Sequence, residues 1–211
     1  MLARILALAL ILVAPWAQAQ EYAVGRDYVA IEGGQPWIDD GKIEVAEVFG
    51  YSCIHCAHAA PVVAEWRKGL APDVRLSFVP AVSGGIWETY ARVYFTAEVM
   101  GVMERTHETL FDVLHVQKRP IASIEDVAAF YAEHGADKDV FLATLSSFPV
   151  NAKIEQARER VPAWGVEATP TIVVAGKWRV MSRGGEDGFG QMLKVVDFLI
   201  AQERAAKKPA A

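Results

Sequence analysis

The sequence predicts an α/β protein, a short open sheet interrupted by a helical insertion, and three observations lead there. Two β-branched runs, Ile43 to Phe49 and Val74 to Val79, flank a helical stretch. Between Gly84 and Pro149 the spacing is helical and no convincing strand occurs. Gly176-Lys177 then makes a tight turn between two further apolar runs, ahead of a long closing helix.

The chain of 211 residues is 53% hydrophobic, enough for one compact domain or a domain with a sizeable insertion. Its N-terminus reads as a targeting segment. Met1 to Arg4 is a short basic start, Ile5 to Ala14 is continuously apolar, and Ala17-Gln18-Ala19 offers small residues for cleavage after Ala19. The apolar run is about half of what a bilayer requires, so export fits better than anchoring. The formal charge of -5 becomes about -6 once Arg4 is removed. An acidic surface without a basic patch excludes nucleic acid as a partner.

From Gln20 the chain opens with a turn-rich approach containing a short edge strand at Tyr28 to Ile31, and Gly33, Gly34 and Pro36 make a loop. Ile43 to Phe49 reads as a central strand whose alternation puts Ile43, Val45, Glu47 and Phe49 on one face. Glu47 therefore sits among hydrophobes. Ser52 is placed to cap a helix from about Cys53 to Lys68 that Pro61 should kink. With Val74 to Val79 this forms a right-handed parallel unit.

In the insertion, Trp87, Tyr90, Ala91, Tyr94 and Phe95 share one helical face and Met103, His107, Leu110, Phe111 and Leu114 another. Ser123 and Asp126 form a capping box ahead of Val127, Phe130 and Tyr131, and Gly135 stops that helix. Asp137 caps a further one carrying Val140, Phe141, Leu145 and Phe148. Asn151 to about Trp164 is amphipathic, with Ile154, Ala157 and Val161 inward and Pro162 disturbing its last turn. Thr169-Pro170 leads into a hairpin of Ile172 to Ala175 and Trp178 to Met181. The last helix, from about Asp187 to Ala205, has Phe189, Met192, Leu193, Val196, Leu199 and Ile200 at core spacing. Arg204, Lys207 and Lys208 suit its negative end, and the final residues are expected to fray.

The candidate chemistry lies in Cys53-Ile54-His55-Cys56, which holds both cysteines of the chain. A pair closing so small a ring constrains the unfolded chain little, so a structural staple is a poor reading even for an exported protein. At a helix N-terminus the first thiol gains from the dipole and free N–H groups, and a protonated His55 could add to this. Cys56, one turn in, would form or resolve the internal disulfide. Haem attachment needs a His where Ala57 stands. Four metal ligands drawn from Cys53, His55, Cys56 and His58 could not converge on one ion without unwinding the helix. Glu47 either acts as a buried proton carrier for Cys56 or reaches water at the strand end. His107, His115 and His134 are scattered and read as core or surface residues.

Strand, Cys-x-x-Cys helix, second strand, and a later Thr-Pro before a hairpin and closing helix resemble the thioredoxin fold. With the helical insertion and signal peptide, the chain is similar to the DsbA family of periplasmic thiol:disulfide interchange proteins. The resemblance spans about Gly25 to Ala205. It implies a thioredoxin-fold domain of residues 20–83 and 151–205, an insertion of 84–150 and a disordered tail of 206–211. It also implies a cis Pro170 beside the cysteines, with the backbone of Thr169 pairing to an extended substrate. His55 matches the oxidases. Ile54 replaces the family's usual proline, and Phe78 stands where some members have a lysine near the buried carboxylate. The implied activity is donation of the Cys53-Cys56 disulfide, with no other cofactor, to unfolded or newly exported cysteine-containing proteins. A monomer reoxidised by a quinone-linked membrane protein of the DsbB type is expected. A reductase or isomerase of the same fold, and a non-catalytic metal-binding thiol carrier, are the competing readings.

Overall fold

The computed structural model describes residues 22–180 and 188–207. The expected signal peptide and its cleavage site, Met181, Asp187 and Lys208 to Ala211 lie outside the described residues. Five strands, β1 (Tyr28–Ala30), β2 (Ile43–Phe49), β3 (Val74–Pro80), β4 (Thr171–Val174) and β5 (Trp178–Val180), form one sheet ordered β1-β5-β4-β2-β3. β2 and β3 are parallel, as a strand–helix–strand unit dictates, and the remaining pairs are antiparallel. β2 pairs on both sides and all seven of its residues are buried, which its near-continuous apolar run requires.

Alternation along β2 feeds two cores. Ile43 and Val45 pack with Ile172, Val174 and Val180 against the closing helix α7 (Gly188–Lys207), through Met192, Val196 and Leu199. Ala46, Val48 and Val173 join a larger core with the helices that follow β3. These are α2 (Gly85–Val99), α3 (Met103–Phe111) with a π-helical continuation (Asp112–Val116), α4 (Ile124–Glu133), α5 (Lys138–Thr144) and α6 (Phe148–Ala163). The capping box of Ser123 and Asp126 and the Asp137 cap form as the sequence predicts. The helix α1 (Ile54–Arg67) runs unbroken through Pro61.

Two local expectations change. Phe148 is 84% exposed and not a core residue, because α5 ends at Thr144 and the helical spacing does not carry across to position 148. It opens α6 instead, with Pro149 in the first turn, where a missing N–H costs nothing. α7 extends to Lys207, beyond the expected fraying point. Arg204 and Lys207 lie in its last turn as expected, and both also reach neighbouring segments: Arg204 pairs with Asp73 at 2.6 and 2.8 Å, and Lys207 donates to the carbonyls of Gly41 and Lys42 at 2.9 and 3.1 Å.

The turn between β4 and β5 uses left-handed residues at Ala175 (φ 53) and Gly176 (φ 67), matching the twist of a hairpin. A Cβ on Gly176 would lie 2.1 Å from the backbone carbon of Gln35. Backbone cannot yield as a side chain would, so Gly176→Ala should lower stability by about 2 to 4 kcal/mol. A urea-denaturation midpoint unchanged from that of the unaltered protein would contradict this packing.

Candidate active site at the N-terminus of α1

Helix α1 begins one residue later than the sequence suggests, and this changes which residue caps it. The N–H of Cys53 donates to the carbonyl of Gly50 at 3.0 Å, closing a turn that leaves Cys53 extended (φ -89, ψ 115) at the capping position. Ser52 is exposed and no side chain caps the helix by a hydrogen bond. The backbone N–H groups of His55 and Cys56 in the first turn favour negative charge on the Cys53 sulfur. Cys53 thus stands at the capping position, where the helix end favours an anion.

The Cys53 thiol is brought from about 9 down to about 5. The largest cause is a hydrogen bond from the Cys56 thiol, followed on the same side by the Thr169 side chain and the two backbone N–H groups; partial burial opposes them. Cys56 is fully buried and shifts far upward, because its proton is held by the Cys53 sulfur and an anion there would be desolvated. Both thiols are free. Opposite them the Thr169–Pro170 bond is cis, and the Cys53 thiol reaches the Thr169 carbonyl at 3.5 Å. Both wall residues are half-buried. The imidazole of His55 is exposed, and it is its backbone N–H that serves the sulfur.

Glu47 is buried to 3% exposure, not directed to water. Its register partners are Phe78 and Ile172, no cation faces it, and its Oε2 has no hydrogen-bond partner among the described residues. Desolvation alone raises it to about 8. No hydrogen bond joins it to either sulfur.

Periodicity placed His107 on a core face, and it is buried; what it does there was not visible in the pattern. The hydroxyl of Tyr51, two residues before Cys53, is hydrogen-bonded to His107 Nδ1 at 2.9 Å, and His115 Nε2 donates to the Tyr51 carbonyl at 2.7 Å. Burial holds His107 near 3, so it stays neutral. Phe49 packs edge-on to Tyr51 and His107, with centroids 5.2 and 4.9 Å apart. The indole of Trp87 closes over Gly50, where a Cβ would meet it at 2.1 Å. Thus the insertion grips the loop that ends at Cys53. Among the described residues no three His, Cys, Asp or Glu side chains converge as metal ligands would.

A low-pKa thiol one turn from a high-pKa buried partner is equipped for disulfide exchange, and the sheet that presents it is that of a thioredoxin-type protein with a helical insertion. The family model described as a DSBA-like thioredoxin domain matches residues 69–193. The thiol:disulfide interchange protein DsbA of Pseudomonas aeruginosa is 39% identical over 194 residues, 91% of this chain and 90% of that one. That of Azotobacter vinelandii is 39% identical over 87% of this chain and 86% of its own. The crystal structure of the oxidoreductase DsbA from Xylella fastidiosa superposes with a TM-score of 0.82 at 39% identity, covering 87% of this chain and 98% of that one. The chain belongs to the DsbA family.

Two titrations check the site. Thiolate absorbance of the reduced protein should rise with a midpoint near pH 5; a midpoint near the ordinary thiol value would contradict stabilisation of the Cys53 thiolate at the helix end. A depressed pKa stabilises the fold fully above the unfolded value and is lost as pH falls through the folded one. The stability of the reduced form relative to the disulfide form should therefore grow as pH rises from about 5 towards about 9. Paired urea denaturations of the two forms measure this, and the buried Glu47 and His107, common to both, drop out of the difference.

Proposed function

We propose that this protein is a periplasmic thiol:disulfide oxidoreductase that donates its Cys53-Cys56 disulfide to newly exported proteins. A client thiolate attacks the Cys53 sulfur and breaks the internal S–S bond; Cys56 leaves with the electron pair and takes up a proton. A second client thiolate attacks the client sulfur of the mixed disulfide and expels Cys53 as a thiolate. The client loses two electrons as it gains a disulfide, and the enzyme gains them as two reduced cysteines. The family membership and the lowered pKa of Cys53 support this reading over a reductase or isomerase.

The depressed pKa is the observation on which the direction rests. At pH 7 a thiol of pKa about 5 is about a hundredfold ionised, and this pulls exchange towards the reduced enzyme. At 29.6 mV per decade this raises the potential by at most about 60 mV, an upper bound because half-exposed Cys53 is screened by water. Thr169 would pair its backbone with the client beside Pro170, and His55 would tune the thiolate at the helix end. Neither another cofactor nor a metal enters any step. A monomer reoxidised by a DsbB-type membrane protein that passes electrons to quinone completes the cycle, and export by the segment ending at Ala19 places it in the periplasm.

Glu47 would carry the proton that Cys56 gains and loses, since a carboxyl titrating near 8 is poised for both directions at neutral pH.

Equilibration with glutathione should give a potential well above the value of about -270 mV characteristic of thioredoxin; a value that low would sink the oxidase reading. When reduced Cys56→Ser is mixed with a disulfide-linked dimer of a client peptide, Cys53 should expel one peptide as a thiol and keep the other as a mixed disulfide, which accumulates and is detected by mass because no internal thiol remains to release it.

For Glu47→Gln, the inflection near pH 8 in the exchange rate should vanish, and an unaltered profile would remove its proton-carrier role. A raised carboxyl binds its proton more tightly folded than unfolded, so it costs stability as pH rises from 4.5 to about 8. His107 slopes the other way only below 6.5. Between those limits the oxidised protein should lose about 2 kcal/mol that the Gln variant retains.

A further inference from the structure

Beside the cysteine pair, on the flank towards the insertion, a cavity of about 200 Å³ opens between α1 and the π-helical segment. Ile54, Ala57 and Pro61 form one wall, and Phe111 and Val116 the other. Ile54 is 44% and Val116 74% exposed, so two large apolar side chains stand at its mouth. Ligand sites for drug-sized molecules run from about 300 to 1,000 Å³, which makes this space suited to a single side chain. The five-residue π turn brings Asp112, His115 and Val116 together along it, and such turns occur often at functional sites.

The rim is acidic. Glu108 and Asp112 lie four residues apart, both exposed, and neither is paired with a cation among the described residues, whereas nearby Glu104 is matched to Arg67. The Asp112 carboxylate accepts from the Gln117 side chain at 2.6 Å. His58 and His115 also line it, the second with Nε2 committed to the Tyr51 carbonyl.

We propose that this cavity is a client subsite, seating one aliphatic or aromatic side chain of an unfolded chain whose cysteine reacts at Cys53, with a Lys or Arg of that segment beside Glu108 and Asp112. The proposal rests on the oxidoreductase reading above. Ile54 is both a wall of the cavity and the neighbour of Cys53, so a chain bound at the sulfur has the cavity within reach of its adjacent residues. A second copy of this protein is a poor occupant, since a mature chain of net charge about -6 brings acid to an acidic rim. The position taken by Ile54 thereby gains a role in selecting clients.

Two cysteine peptides of equal length test this, one with Leu and Lys flanking the cysteine and the other with Ser and Glu. Their rates with the oxidised full-length mature protein are followed by stopped flow. The Leu–Lys peptide should react about tenfold faster at low salt, with the gap narrowing as salt rises. In Glu108→Lys/Asp112→Lys the preference should disappear or invert, and in Val116→Glu the Leu contribution should fall. Because each variant is read as a ratio of two peptides, a change in its intrinsic reactivity cancels. Equal rates with the unaltered protein, or a preference the double variant keeps, would overturn the subsite. So would a dimer in sedimentation that Val116→Glu dissociates. Oxidation of dithiothreitol by the unaltered protein separates the two levels: if it fails, the oxidoreductase reading fails, and if it proceeds without peptide preference, only the subsite does.

Discussion

The structure depends on one unmet demand, the free N–H groups at the start of α1. Most helices answer it with a hydroxyl or carboxylate oxygen. Here the turn from Gly50 to Cys53 delays the helix by one residue and puts Cys53 at the capping position. No side chain answers there with a hydrogen bond, and the helix end acts on Cys53 through its dipole and nearby N–H groups, which favour a thiolate over a thiol. The capping position and the reactive residue coincide.

That arrangement works only if the sulfur is held at the helix end, and the rest of the site holds it there. Trp87 closes over Gly50, whose missing side chain leaves room for the indole. Tyr51 is fixed at both ends, its hydroxyl by His107 and its carbonyl by His115. All three of these groups belong to the helical insertion, and His115 reaches Tyr51 from the π-helical segment after α3. The insertion therefore buttresses the active-site loop as well as enlarging the core, through the ring cluster of Phe49, Tyr51, His107 and Phe111.

Much of this was legible in the sequence, and the divide follows physical range. β2, the hairpin after Pro170 and the Ser123 capping box are specified by residues within a few positions of one another, and all of them form. The cysteine pair was legible because its spacing is one helical turn. Phe148 was misread because its spacing from Phe141 fits a helix that ends between them. The grip of His107 and His115 on Tyr51 joins positions 56 and 64 residues apart, and no periodicity encodes such a pairing. Ser52 was a sound cap by residue type; the turn closed by Gly50 displaced it, and turn closure is settled by packing.

Oxidation removes the charge that the helix end selects. Once Cys53 and Cys56 are joined, neither sulfur can be an anion, and the helix end loses the charge it stabilises. The fold therefore favours the reduced state, and the disulfide is passed on because the thiolate gains from the helix end what the disulfide cannot. A buried carboxylate would work against this, since negative charge in a low dielectric opposes any second anion in its vicinity. Glu47 avoids the conflict by staying neutral below about 8, which follows from Phe78 standing beside it where a cation would have ionised it. Phe78 and the N-terminus of α1 thus act in the same direction, one keeping a charge out of the interior and the other drawing a charge to the surface where a client meets it.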